Sequence, residues 1–172
     1  MATAELAWAL TVSALLLAAA WCDIATRTIP DGISIALATS GLLARALEGL
    51  APAAASLLVA AGLFAALLPL HARGAFGGGD VKLITALAIG LSPLATVDFL
   101  VATVMAGGAL GVAYLALRRL PHPSPLVPRP LAWRTRRIFA IERRRFSRRG
   151  PLPYAVAIAM GGVLTLTKPF GG

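Results

Sequence analysis

Gly77-Gly78-Gly79-Asp80-Val81-Lys82 interrupts a long apolar stretch and places a carboxylate where a new helix should begin. The run 51–70 lies before it and the run 81–94 after it, both nearly free of charge. Further apolar runs cover about 4–22, 33–48, 97–117 and 152–167. Of the 172 residues, 58% are hydrophobic and only 13% are charged. This pattern predicts an all-α membrane protein, a bundle of about six transmembrane helices in one domain, 1–172. Several runs are shorter than the ~20 residues that cross the hydrocarbon core, the fourth being the weakest span. Tilt, local thinning or burial among neighbours must accommodate them.

Local chemistry explains the breaks. Pro30-Asp31-Gly32 separates the first two runs, with Asp31 expected to cap the second helix. Gly49 to Pro52 predicts a tight return, and Ser92-Pro93 is expected to end the fourth helix. Asp98 then falls in the first turn of the fifth, where a negative charge suits the helix dipole. Gly107 and Gly111 form a G-x-x-x-G step, and Gly161-Gly162 mark the last helix; both favour close helix packing.

The formal net charge of +9 is unevenly spread. Eleven of the 16 Lys and Arg residues are arginines between Arg118 and Arg149, in the connection at about 118–151. Putting the connections 23–32, 71–82 and 118–151 on one side collects 14 cations there, with Arg45 and Lys168 on the other. The positive-inside rule then makes that side cytoplasmic and leaves both termini outside. The basic connection is read as a topology signal that meets lipid headgroups, and no nucleic acid partner is expected. Five prolines between Pro121 and Pro130 make its first part irregular, and 131–146 fits either an interfacial amphipathic helix or a mobile basic loop. The first run has no basic n-region, so it is read as a helix rather than a cleaved signal peptide.

The same count brings Asp80 to the side of a second aspartate, in Cys22-Asp23-Ile24-Ala25-Thr26-Arg27-Thr28-Ile29-Pro30. Carboxylates at the edge of a bilayer are costly and call for a function. Two that meet in a poorly hydrated site share one proton. The ionised member can take a proton from water while the other donates to a scissile carbonyl, which is the chemistry of aspartic proteases. Taken singly, Asp23 could end a helix and Asp80 could cap one. Cys22 stands alone and His71 and His122 are far apart, so neither a metal site nor a cofactor is expected. Gly74 and Gly79 have the glycine spacing of a P-loop, but Asp80-Val81 replaces its Lys and hydroxyl residue, and Lys82 breaks a dinucleotide fingerprint.

Asp23 with Arg27 and Ile29-Pro30, followed by Gly77-Gly78-Gly79-Asp80-Val81-Lys82-Leu83, resembles the two signatures of type IV prepilin peptidases, membrane aspartic proteases with a GxGD motif. Pro151-Leu152-Pro153-Tyr154-Ala155 is similar to that family's proline-aromatic lead into its final helix. The resemblance implies a bacterial inner-membrane, multi-pass endopeptidase with Asp23 and Asp80 as the catalytic pair. It implies prepilin-like substrates cut at the cytoplasmic face, with Gly77 and Gly79 shaping the site. Lys82 matches a family lysine; its role stays open between a catalytic helper and a side chain reaching the headgroups. Asp31 stands where the family often has Asn, and His71 is read as an interfacial histidine near the site. The short first connection and lone cysteine imply a peptidase-only form like those of Flp-type (tight-adherence) pili. The competing readings are a small proton-coupled membrane transporter and a non-catalytic pilus or secretion assembly factor. Oligomeric state is left open.

Overall fold

The computed structural model describes residues 3–119 and 154–167. These form six helices: α1 (Thr3–Thr26), α2 (Asp31–Glu48), α3 (Leu50–Ala72), α4 (Gly78–Gly90), α5 (Pro93–Arg119) and α6 (Tyr154–Thr167). No strand occurs among the described residues. Most of the basic connection, the proline-rich stretch, the segment 131–146 and residues 151–153 lie outside them. Three stretches, Glu5–Thr26, Leu50–Ala72 and Pro93–Ala116, are long and apolar enough to cross a membrane. Large side chains such as Leu43, Leu47, Leu58, Val101 and Val104 point outward and are largely exposed. A surface this apolar fits a helical membrane protein whose outer face meets lipid.

The short helix α4 is the central strut. Its 13 residues rise about 20 Å, well under the ~30 Å hydrocarbon thickness. Val81, Leu83, Ile84, Leu87 and Ala88 on it are all buried. It packs against α2, α3 and α6, while α6 also contacts α1 and α5. The last helix therefore closes the bundle beside the first.

Small residues set the closest crossings. A Cβ on Gly41 of α2 would sit 2.6 Å from the Cα of Gly90 on α4, and one on Gly90 would also strike Trp8. A Cβ on Gly161 would lie 2.7 Å from the backbone N of Thr103 on α5. One on Gly162 would overlap Leu16 and Leu87. The expected packing role of Gly161-Gly162 thus holds. Gly107 is looser, since a Cβ there would make ordinary 3.6 Å contacts with Ala157 and Tyr154.

Several boundaries differ from expectation. Helix α1 runs past Asp23 and ends where Arg27 turns into the left-handed region at φ 60°, its N–H donating to the Asp23 carbonyl at 3.0 Å. Asp23 is therefore inside the last turn. Helix α4 begins two residues before Asp80 and stops at Gly90. Helix α5 begins at Pro93, not near 97, because Pro93 occupies the first helical position, where a missing N–H costs nothing. Ser92 caps it, accepting from the Ala95 N–H at 3.2 Å. Asp98 accordingly lies beyond the first turn. Asp31 is the first residue of α2 and makes no capping bond; Pro30 holds the cap position.

At the end of α4 remote from Asp80, Ser56 Oγ donates to the Leu91 carbonyl at 2.7 Å and accepts from Arg45 Nε at 3.0 Å. Arg45 also pairs with Glu48. One carbonyl just beyond the end of α4 is thereby satisfied away from water.

Candidate active site

Asp23 and Asp80 line one open cleft of about 740 Å³, together with Arg27, Ile29, Phe76, Lys82 and Tyr154 among others. The carboxylates come from different helices at the same end of the bundle. Asp23 projects from the last turn of α1 and is 8% exposed. Its Oδ2 accepts a long hydrogen bond, 3.4 Å, from the backbone N–H of Ala155 in the first turn of α6. That N–H has no partner within its own helix, so a carboxylate there is well matched.

Asp80 is the third residue of α4, counted from the cap Gly77. Its carboxyl folds back toward the cap residue, with Oδ2 2.8 Å from where a Gly77 Cβ would stand. Burial and then the nearby charge of Asp23 push the Asp80 carboxyl up to about 6, against the opposing effects of the Gly77 backbone and Arg27. Asp80 lies ahead of the buried part of α4 and outside the three long apolar helices.

The glycine run now has separate physical reasons. A Cβ on Gly77 would stand 2.8 Å from Asp80 Oδ2. One on Gly79 would press on Ile29 at 3.2 Å. Ile29, six positions after Asp23, is thus seated against Gly79 of the second motif. We expect Gly77→Ala to displace the Asp80 carboxyl and lower any activity that depends on it by roughly 10- to 100-fold, a loss of about 1.4–2.7 kcal/mol. Melting temperature should change little because Gly77 is exposed. Cleavage rates and thermal unfolding in detergent measure the two effects separately.

Lys82 Nζ donates to Asp31 Oδ1 at 2.9 Å, tying the start of α4 to the start of α2. Asp31 therefore neither caps its helix nor stands as an unpaired third carboxylate. With side chains 55% and 67% exposed, this pair contributes little to stability.

Two features were not legible beforehand. Phe76, in the α3–α4 connection, meets Tyr154 edge to face, with ring centroids 5.6 Å apart. Together they wall the cleft beside Asp80. The Ala155 N–H is invisible in sequence because backbone donors carry no residue signature. Among the described residues no group of three or more His, Cys, Asp or Glu side chains is placed to hold a metal.

A helical bundle with exposed apolar flanks and two carboxylates in one terminal cleft describes a membrane protein with a candidate acid–base site. The family model for the type IV leader peptidase family matches residues 10–112, more than half of the chain and including both aspartates. The chain belongs to this family, which makes it a peptidase and points to prepilin-like substrates. No curated protein and no solved structure matches it.

Proposed function

We propose that this protein is a membrane aspartic endopeptidase that removes the leader from type IV prepilin-like substrates at the cytoplasmic face of the bacterial inner membrane. The observation that carries this reading is the shared cleft of Asp23 and Asp80, one of them with a raised proton affinity. Asp80 holds the proton and donates it to the scissile carbonyl oxygen. Asp23 takes a proton from the attacking water, and the tetrahedral intermediate then collapses with proton return to the leaving amine. Gly77 and Gly79 shape the site, the first by letting the Asp80 carboxyl lie against the backbone and the second by seating Ile29.

In this proposal six apolar segments cross the membrane in one peptidase domain, with the connection 71–82 that carries Asp80, the cleft and the basic connection on the cytoplasmic side and both termini outside. Support comes from the 14-to-2 distribution of Lys and Arg. Coexpression with a prepilin-like substrate, followed by mass measurement, tests the reading. A product shortened by the leader is expected; intact substrate alongside well-folded enzyme would reject it.

The pH dependence has a defined sign. Catalysis needs protonated Asp80, so the rate falls as pH rises through about 6. Stability follows the same direction: the folded-state value lies above the ordinary aspartate value of 3.8. The contribution of protonated Asp80 is complete below about 4 and is lost as pH rises through about 6. Asp80→Asn should remove this dependence while leaving the protein at least as heat-resistant at neutral pH. Unfolding midpoints in detergent across pH 4–8, with roughly equal steps, check it.

A further inference from the structure

The peptide unit joining Phe76 to Gly77 has both polar ends engaged, in opposite directions. Its carbonyl oxygen lies 2.9 Å from Nδ1 of His71. A carbonyl only accepts, so Nδ1 carries the proton and donates. Its N–H belongs to Gly77, whose backbone lies against the Asp80 carboxyl, with Oδ2 2.8 Å from where a Gly77 Cβ would stand, and favours the ionised form. One planar unit therefore links an imidazole on α3 to the carboxyl on α4.

The His71 ring is held on a second side. A Cβ on Gly78 would stand only 3.2 Å from its Cε1, so the ring rests directly on the first helical residue of α4. The α3–α4 turn does not need this histidine side chain to form. Its own backbone bonds already connect Arg73 N–H to the Pro69 carbonyl, Gly74 N–H to the His71 carbonyl and Ala75 N–H to the Leu70 carbonyl. The imidazole bond falls on the Phe76–Gly77 peptide, beside the Asp80 carboxyl. The bond is exposed, which limits what it adds to overall stability.

We propose that His71 is a positioning residue for Asp80, acting through the Phe76–Gly77 peptide. By holding the carbonyl, the ring fixes the peptide plane and keeps the Gly77 N–H aimed at the carboxyl. A donor on the carbonyl also polarises the unit and strengthens donation at its other end. Sequence proximity alone made His71 an interfacial side chain; the peptide between the two residues gives it a specific task. The inference rests on the reading of Asp80 as half of a catalytic dyad.

The test uses the full chain in detergent micelles. The Asp80 carboxyl is titrated by infrared absorption of its protonated C=O, the band being assigned by its loss in Asp80→Asn. His71→Ala should raise the titration midpoint by about one pH unit, the scale of one lost hydrogen bond to a carboxylate. His71→Asn places an amide N–H near the Nδ1 position and should restore the wild-type midpoint. His71→Gln places it near Nε2 and should not. The neighbouring charged and titratable groups, Asp23 and Arg27 from α1, Asp31 from α2, Lys82 on α4 and Tyr154 from α6, are the same in every variant.

Cleavage of a prepilin-like substrate supplies the second readout. In His71→Ala and His71→Gln, kcat should fall roughly tenfold with KM unchanged, and the basic limb of the pH profile should move up with the midpoint. An unchanged midpoint and profile in both, with wild type active, overturns the inference. If His71→Ala does not accumulate, the contrast between Asn and Gln decides it, and equal midpoints in those two reject it. A wild-type enzyme that titrates as described but cuts no prepilin-like substrate rejects the leader-peptidase reading and not the relay.

Discussion

Asp23→Asn and Asp80→Asn should each reduce leader removal to background, a loss of roughly 10²- to 10⁴-fold for removing one general acid or base. Asn keeps the shape and an accepting oxygen, so the Ala155 N–H retains its partner. What it removes is the ability to exchange a proton. The two losses should not add, because either change alone disables the same proton cycle. Mass analysis of coexpressed substrate measures the effect, and thermal unfolding of the purified variants excludes a folding defect. Full cleavage by either variant would remove that aspartate from the mechanism.

The second large effect is structural. Gly41→Ala should lower stability by roughly 1–3 kcal/mol, because its new methyl group meets the backbone of Gly90 and not a side chain that can turn away. Relief requires α2 and α4 to separate. These are the helices joined by Asp31 and Lys82 at the cleft, so activity should decline with stability. Gly62→Ala is the matched control. It also lies in a helix, but nothing stands within 4 Å of its Cβ position. It should be neutral or stabilising by up to about 1 kcal/mol, from helix propensity alone. Unfolding midpoints of the two variants in the same detergent separate close packing from propensity. Equal midpoints would show that the crossing is slack.

Helix existence was the most legible level. An apolar run needs a backbone whose polar groups are satisfied internally, and only a helix provides that segment by segment. Proline and glycine then supply the breaks. Where these residues were read as simple stops, boundaries drifted: Pro93 starts α5 rather than merely ending α4, and two of the three glycines at 77–79 are helical. The expectation that Asp31 caps α2 failed because Pro30 takes the cap position and leaves Asp31 as the first helical residue, where its carboxylate pairs with Lys82.

Sequence alone determined that the chain is helical and apolar, that its cations are confined to particular connections, and that two aspartates occur in marked local contexts. Those properties are carried by single residues and their near neighbours. Tertiary structure decided that Ala155 donates to Asp23 across 132 positions, that Ile29 rests on Gly79, and that His71 reaches Asp80 through one peptide. The helices are apolar nearly all round, so periodicity does not say which face turns inward. Close packing of small residues sets the order of helices around α4, and that order brings Gly77-Gly78-Gly79-Asp80 to face the end of α1.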